Sequence, residues 1–294
     1  MVSRLVSDGP SNRQPDELTD GWQALAFARV SMPSVSRLEL RVSRILDTMK
    51  KVIKRLSVGL VILLLLAITG FVAWTRLARY PATPAAQLVA SHATRTAQQW
   101  LIFTPDGASS ANPGPMSGLI IYPGALVDYV AYAPLADAIA QRGYFVVLVP
   151  MPLDLAILNT NAATPVIAAY PNIKTWIIAG HSLGGTAAGQ FVATNPGAAA
   201  GLVFWASFPA SPVGFGATRI LSIYGTDDGV LRRKGQALID VSPPGAIITT
   251  IPGGNHGMFG SYGNQQGDNP LAISEDAARV AITDATAQFM SGLR

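Results

Sequence analysis

Two kinds of apolar pattern divide the chain near residue 80. Residues 56–74 form one uninterrupted apolar run, whereas later apolar runs are four to six residues long and rich in β-branched and aromatic side chains. Short runs without polar alternation are typical of strands that are buried on both faces. The runs that we predict to be strands are 99–103, 119–122, 144–149, 175–179, 202–205, 220–224 and 247–251.

The segments between these runs have the character of helices. We predict helices at 132–142, 154–170, 183–194 and 274–290. The third is followed by Asn195-Pro196-Gly197, which is a helix stop signal. Strands that alternate with helices build βαβ units, and such units form a mostly parallel sheet with helices on both faces. The pattern therefore predicts an α/β fold for residues 99–294.

The long apolar run carries no charge over the 19 positions 56–74. A helix of that length is roughly 28 Å long, close to the ~30 Å hydrocarbon core of a bilayer. We therefore predict one transmembrane helix at 56–74, followed by a linker and the approach to the domain at 75–98. A cleaved signal peptide is the alternative, but the run is long for a signal core and no clean small-x-small site follows it.

Basic residues flank this run unequally. Four precede it and two follow it: Lys50, Lys51, Lys54 and Arg55, then Arg76 and Arg79. Basic residues next to a transmembrane helix favour the cytoplasmic side. The sequence therefore predicts an uncleaved signal-anchor in the cell membrane, with a cytoplasmic N-terminus and an extracytoplasmic C-terminal domain.

The segment before the run is polar, mixed in charge and rich in Ser and Arg, and we expect residues 1–55 to be disordered. A weakly amphipathic stretch at 35–49 is the exception. From Met49 onward the chain has a short basic head followed directly by the apolar run. We hypothesise that Met49 is the natural start, or else that residues 1–48 are a cytoplasmic tail. An N-terminal peptide upstream of Met49 would contradict the first alternative.

Composition excludes several classes of protein. Hydrophobic residues make up 49% of the chain and charged residues 13%, which is too apolar for a disordered protein. The sequence has no cysteine, so a disulfide framework, a thiolate metal site and a cysteine nucleophile are ruled out. Residues 1–55 carry ten Lys/Arg against six Asp/Glu, but residues 80–294 carry nine against eleven. The domain therefore lacks the basic excess of a nucleic-acid-binding protein.

A G-x-S-x-G sequence marks the candidate nucleophile. The motif Gly180-His181-Ser182-Leu183-Gly184 directly follows the predicted strand 175–179 and opens the predicted helix 183–194. A strand, a tight turn and a helix in this order expose the serine hydroxyl above the sheet edge, and the flanking glycines avoid a clash. Ser182 is the predicted nucleophile, and Gly180, His181 and Gly184 form its turn.

A serine nucleophile needs a general base. The chain has only three histidines. His92 precedes the sheet, and His181 lies beside the serine in the turn, where it must point elsewhere. His256 lies in a glycine-rich loop just after the last predicted strand, so it is the predicted base.

The base in turn needs a carboxylate that orients it. Asp227 and Asp228 both follow the predicted strand 220–224. We choose Asp228 as the partner of the base and expect Asp227 to cap the helix that begins near Val230.

Four short motifs now carry a resemblance. In chain order they are Tyr122-Pro123-Gly124, Gly180 to Gly185, Tyr224 to Gly229, and Gly253 to His256. From about residue 99 to its end the chain resembles the α/β-hydrolase superfamily, and in detail a group of small bacterial membrane-anchored members. The resemblance implies the α/β-hydrolase fold and the order Ser182, Asp228, His256. The G-x-x-D spacing from Gly225 also favours Asp228 over Asp227.

The same resemblance implies where the oxyanion hole lies. One donor is the amide of the residue after the nucleophile, here Leu183, and the other comes from the loop after an early strand. Most members carry His-Gly in that loop, whereas this chain has Pro123-Gly124, which leaves Ala125 as the expected second donor. The connection 205–219 is short, so we expect a minimal cap domain or none, and an open site.

These features together predict a serine esterase that acts through an acyl-enzyme intermediate. We expect no metal or organic cofactor, since the glycine-rich segment 259–268 holds a single carboxylate, too few ligands for calcium. The expected partners are a small-molecule, ester-like substrate and the membrane. The alternatives are an acyltransferase or other reaction on the same triad, and a non-catalytic membrane-tethered binding module.

Overall fold

The structure is a computed structural model that describes residues 35–108, 117–211, 214–232 and 242–293. It contains two compact units, Met1–Leu66 and Ala67–Arg294. The described part of the first unit is entirely helical. The second unit contains the sheet and every predicted site residue.

Helix α1 spans Val35–Leu77. It is long and apolar enough over Arg37–Leu77 to cross a membrane, and its most apolar stretch is not buried inside the structure. The helix begins well before the predicted start at residue 56, so the expectation of disorder up to residue 55 was wrong for residues 35–55. These residues are mostly good helix formers without a proline, and helix propagation from an existing helix is far easier than nucleation. The predictions for residues 1–34 lie outside the described residues.

The second unit is built on an eight-stranded sheet in the order β1-β2-β4-β3-β5-β6-β7-β8. The strands are β1 Thr94–Arg95, β2 Leu101–Phe103, β3 Gly118–Tyr122, β4 Phe145–Leu148, β5 Trp176–His181, β6 Gly201–Trp205, β7 Arg219–Gly225 and β8 Ile247–Ile251. The two pairings that involve β2 are antiparallel, and all others are parallel. Strands β3 to β6 are buried along their whole length, as their continuous apolar runs predict.

Helices cover both faces of this sheet and create two apolar cores. The helices are α2 Pro84–Ser91, α3 Ala133–Ala140, α4 Ala163–Ala169, α5 Leu183–Thr194, α6 Gly229–Arg232 and α7 Glu275–Ser291. Helices α2, α3 and α7 pack on one face, and α4 and α5 pack on the other. Neighbouring strand residues point to opposite faces, so Ile121 belongs to the first core and Ile120 to the second. The predicted mostly parallel α/β fold is confirmed.

Two elements before the main sheet were not predicted. Strand β1 is too short to leave a sequence pattern. Helix α2 lies in the predicted linker 75–98; its start has the Thr83-Pro84 signature, in which the Thr83 hydroxyl accepts from the Ala86 amide at 3.3 Å.

The predicted helix at 154–170 is divided in the structure. Short 3-10 turns occupy Pro152–Asp154 and Ala156–Asn159, and only α4 is α-helical. The buried hydroxyl of Tyr122 donates to the Thr160 carbonyl and accepts from the Ala163 amide, both at 2.8 Å. A tertiary contact therefore takes over backbone groups that a continuous helix would pair internally.

Candidate active site

The candidate residues lie on loops at one edge of the sheet. Strands β3 and β5 to β8 are parallel, so their carboxyl ends meet at the same edge. Ser182 follows β5, Asp228 follows β7 and His256 follows β8. The loop that contains Ala125 follows β3, which lies next to β5 in the sheet. The fold thus brings all four predicted elements of the site together.

Ser182 occupies a strained turn between β5 and α5. Its φ is 50° and its ψ is −123°, a conformation that non-glycine residues rarely adopt. Neighbouring groups hold this conformation: its amide donates to the Trp205 carbonyl at 3.0 Å, and its carbonyl accepts from the Ser207 hydroxyl at 2.6 Å. Ser182 is half-buried, so solvent reaches part of this residue.

The glycines beside Ser182 are required by close backbone contacts. A Cβ atom on Gly180 would lie 2.4 Å from the Gly184 carbonyl oxygen, and one on Gly184 would lie 2.3 Å from the Pro123 carbonyl oxygen. The first contact lets strand and helix meet in a tight turn. The second lets the loop after β3 lie directly against the first turn of α5.

This contact places the two predicted oxyanion donors on adjoining segments. Leu183 is the first residue of α5, and the first amides of a helix have no partner within it. In the loop after β3, the amides of Gly124, Leu126 and Val127 all have acceptors. The Ala125 amide donates no hydrogen bond within the described residues. Both predicted donors are therefore available to a ligand.

Asp228 and His256 form a fully buried pair. Oδ2 of Asp228 lies 2.8 Å from Nδ1 of His256, and both side chains have an exposed fraction of 0%. Oδ1 of Asp228 accepts from the amides of Val230 and Leu231 at 2.9 and 2.8 Å. One carboxylate thus orients the histidine and caps α6, and the expectation that Asp227 makes the cap was wrong. The Asp227 carboxylate instead accepts from the Thr226 hydroxyl at 3.0 Å.

The second nitrogen of His256 has no hydrogen-bond partner among the described residues, although it is buried. The ring lies against the serine turn, with its centroid 4.8 Å from that of His181. An Nδ1 bound to a carboxylate places the proton there and leaves Nε2 free to accept one.

His181 joins the base to the loop after β3. Its Nε2 lies 3.0 Å from the His256 carbonyl oxygen, so Nε2 carries the proton. Its Nδ1 therefore accepts from the Tyr132 hydroxyl at 2.8 Å, and that hydroxyl in turn accepts from the Gly124 amide at 2.9 Å. Burial, and then the neighbouring His256, lower the pKa of His181 well below 6.5, whereas burial raises the pKa of Tyr132. The chain of bonds thus links neutral groups.

Asp268 joins the loops of Asp228 and His256, a contact that the sequence did not predict. Its Oδ1 accepts from the amides of Gly229 and His256 at 3.0 and 3.1 Å, and its Oδ2 accepts from the Gly257 amide at 2.8 Å. Asp268 therefore links the loop of Asp228 to the loop of His256 and fixes their relative position. A single carboxylate in a glycine-rich loop leaves no sequence signal for this role.

Metal-ligating side chains do not cluster here. Across the described ranges, no group of three or more His, Cys, Asp or Glu side chains is arranged to hold a metal ion.

The family of the protein follows from the sheet, the serine turn and the position of the loops. The chain belongs to the alpha/beta hydrolase family, whose family model matches residues 118–280. No curated protein matches the chain.

Several solved structures are similar to the chain. The TT1662 structure from Thermus thermophilus has 14% identity and a TM-score of 0.46, over 68% of this chain and 98% of that one. Est1E from Butyrivibrio proteoclasticus has 14% identity and a TM-score of 0.47, over 66% and 93%. Propionate-bound Est2, an esterase from Thermogutta terrifontis, has 13% identity and a TM-score of 0.45, over 66% and 88%.

Proposed function

We propose that this protein is a membrane-anchored serine esterase, which cleaves carboxylic esters through Ser182, His256 and Asp228. The observation that carries the proposal is the buried pair of Asp228 and His256, which leaves a free imidazole nitrogen beside a strained serine turn. A buried carboxylate–imidazole pair with an unpartnered nitrogen is costly unless another group uses that nitrogen. A reacting serine is such a group.

In the first half of the reaction, Nε2 of His256 takes the proton of the Ser182 hydroxyl as Oγ attacks the ester carbonyl. Asp228 accepts from Nδ1–H and stabilises the imidazolium that forms. The amides of Leu183 and Ala125 donate to the oxyanion; one such donor is worth about 10²–10³ in rate. The imidazolium then protonates the departing alkoxide, which leaves Ser182 acylated.

In the second half, water enters where the alcohol left. His256 takes a proton from the water, the resulting oxygen attacks the acyl carbonyl, and the same oxyanion donors act again. Collapse of the intermediate releases the carboxylic acid and returns the proton to Ser182. The described residues between β6 and β7, 206–211 and 214–218, contain no helix or strand, which supports a site without a bulky cap.

The first test is covalent labelling of the full chain in detergent micelles with a fluorophosphonate, which reacts with activated serines. We expect labelling of the parent and none of Ser182→Ala or His256→Ala. Ser91→Ala and His92→Gln are matched controls, because both residues are exposed on or beside α2. They should label like the parent.

The two outcomes of this test lead to different conclusions. If Ser182→Ala still labels, another serine is the nucleophile and the proposal is wrong. If the folded parent does not label at all, the binding-module alternative gains support. Labelling that depends on both Ser182 and His256 would establish the nucleophile and its base.

We propose further that α1 is an uncleaved anchor with its N-terminus in the cytoplasm. The absence of cysteine from the chain makes single-cysteine labelling a direct test. With a membrane-impermeant maleimide on spheroplasts, Ser91→Cys should react at once and Ser43→Cys only after permeabilisation. The reverse pattern would contradict the topology, and a mature chain that lacks residue 43 would support cleavage.

A further inference from the structure

The residues that directly follow the apolar helix bind the carboxyl edge of the sheet, where the candidate site lies. Trp74 ends the apolar run, and Arg79 lies five residues later, at most about 18 Å along the chain. The Arg79 guanidinium lies 3.2 Å from the Asp128 carboxylate and 2.8 Å from that of Asp154. Asp128 follows β3 and Asp154 follows β4, so both belong to the carboxyl edge.

Tyr80 strengthens this attachment through its backbone. Its amide donates to the Leu126 carbonyl at 2.7 Å, and its carbonyl accepts from the Asp128 amide at 3.0 Å. Its hydroxyl accepts from the Gln266 amide at 3.2 Å. The residues beside the anchor therefore hold the loop of the oxyanion donor Ala125 and the segment that follows His256.

Three residues with positive φ take part in this attachment. Leu126, Leu153 and Asp154 have φ values of 59°, 54° and 55°. The Leu126 amide donates to the Asp154 carbonyl at 2.8 Å, which binds the loops after β3 and β4 to each other. Such conformations persist only where the surrounding contacts over-determine them.

The loop after β4 also exposes apolar side chains beside this attachment. Ile157 and Leu158 have exposed fractions of 50% and 51%, and Leu153 and Leu155 are half-buried. The one acid of this loop, Asp154, is paired with Arg79, and burial raises the pKa of its carboxyl above the ordinary value. The surface 152–158 is therefore apolar, and its only acidic side chain is paired with Arg79 rather than free.

We infer that residues 152–158 dock into the lipid surface beside the anchor, and that the site takes its ester from the bilayer as a long-chain amphiphile. The inference rests on the proposed esterase activity and on the proposed anchor. The anchor keeps the domain within a few residues of the lipid, and Arg79 is bonded to the same loop that presents the aliphatic side chains. A docked edge lets a long-chain ester reach Ser182 without crossing water.

The test compares two esters with the same leaving group in phosphatidylcholine proteoliposomes of the full chain. 4-Methylumbelliferyl acetate is water-soluble, and 4-methylumbelliferyl oleate resides in the bilayer. Ile157→Asp/Leu158→Asp should lower the oleate rate by at least about tenfold, because each lost aliphatic insertion is worth roughly that factor or more. The acetate rate should stay within about twofold, since solvation of a soluble ester does not depend on docking.

The matched control is Ile247→Asp. Ile247 is a similarly exposed aliphatic residue, at 45%, but it begins β8 and so lies at the opposite edge of the sheet. It should leave both rates unchanged. An unchanged oleate rate in the double variant, equal losses on both esters, or an equal loss in the control would each overturn the docking inference.

A second measurement does not depend on activity. Leu158→Cys and Ile247→Cys, each carrying a polarity-sensitive dye, are placed in vesicles with brominated acyl chains. Quenching at position 158 but not at 247 is expected, and the absence of quenching at 158 contradicts docking. If the parent is not labelled by the fluorophosphonate but position 158 is still quenched, the esterase proposal is wrong and the docking inference stands. If the ester is hydrolysed but position 158 is not quenched, the docking inference is wrong and the esterase proposal stands.

Discussion

The two edges of the central sheet differ in where non-glycine residues adopt a positive φ. At the amino edge, the positive-φ turns before β4, β6, β7 and β8 all use glycine: Gly143, Gly197, Gly216 and Gly245. At the carboxyl edge lie all six described non-glycine residues with positive φ: Gln99, Leu126, Leu153, Asp154, Ser182 and Ala206. Glycine adopts this conformation freely, whereas other residues are strained by it.

The difference shows at which positions the chain keeps a side chain although glycine would adopt the backbone conformation without strain. Ser182 supplies the proposed nucleophile, and Asp154 supplies the carboxylate that binds Arg79. Glycine would relieve the strain at either position but would remove that group. At Ser182 and Asp154, backbone strain therefore accompanies a side chain that glycine could not supply.

The largest effect is expected from the buried carboxylate of the carboxyl edge. Asp228→Asn presents an amide to Nδ1, favours the wrong imidazole tautomer and should lower kcat by about 10³–10⁴. Asp227→Asn is the matched control, because its neighbouring carboxylate contacts only Thr226 among the described side chains, and it should keep activity within about threefold. Ester hydrolysis kinetics decide; equal losses in both variants would contradict the assignment of Asp228.

A methyl group at each edge sharpens the comparison. Gly184→Ala places Cβ 2.3 Å from the Pro123 carbonyl oxygen, so we expect a loss of about 3 kcal/mol of folding free energy. Gly197→Ala has no heavy atom within 4 Å of the new Cβ and a φ of 81°, so only backbone strain of about 1–2 kcal/mol should appear. Denaturant unfolding measures both.

Activity distinguishes the two glycine variants further. Gly184→Ala should displace the Ala125 loop and lower kcat by about 10², as loss of one oxyanion donor does. Gly197→Ala should leave kcat of the folded enzyme unchanged. If both variants lose stability equally, the close packing of the serine turn is not what requires glycine there.

The bond chain through His181 should contribute less. Tyr132→Phe leaves the Gly124 amide without an acceptor and Nδ1 of His181 without a donor, at a cost of about 2 kcal/mol. Tyr132 is a positioning residue. Because Gly124 adjoins the proposed donor Ala125, Tyr132→Phe should lower kcat by about tenfold and change KM little.

Tyr144→Phe is the control for this variant. Tyr144 is also a buried tyrosine, and its hydroxyl donates to the carbonyl of Ala287 on α7 at 2.9 Å. It should lower stability without changing kcat. A kcat loss of the same size in both variants would show that Tyr132 acts only through stability.

The smallest effect concerns pH. Because burial holds the pKa of His181 well below 6.5 in the folded chain, the unfolded chain binds more protons below that pH. His181 should therefore reduce stability as pH falls through about 6.5 and contribute almost no pH dependence above about pH 7.5. The unfolding free energy of the parent should fall more steeply than that of His181→Gln between about pH 6.5 and 5; parallel slopes would contradict a neutral His181.

Much of the fold could be predicted from the sequence because it depends on local signals. Seven strands and helix α5 leave apolar runs or stop signals, and the serine turn leaves its glycines. Helix α2 also left a signal, the pair Thr83-Pro84, which was interpreted as a linker. Strand β1, only two residues long, left none.

The site is divided in the same way. Motifs predicted Ser182, Asp228 and His256, since each follows a strand end and the carboxyl ends of parallel strands meet. The capping of α6 by Asp228, the role of Asp268 and the bonds through His181 could not be predicted. Each depends on atoms that are distant in the chain and distinguishable only at hydrogen-bond distances.

The sequence by itself determined the apolar helix, the order of most strands and helices and the choice of candidate reactive residues, because periodicity and steric demands act within a few neighbouring positions. Only the tertiary structure decided that 154–170 is not one helix and that the residues after the apolar helix bind the loops that follow β3 and β4. Those outcomes depend on the Tyr122 hydroxyl and the Arg79 guanidinium, whose partners lie tens of residues away. Each bond of the Tyr122 hydroxyl contributes about 1 kcal/mol, which is comparable with the propensity differences of less than about 1 kcal/mol per residue that act on a continuous helix.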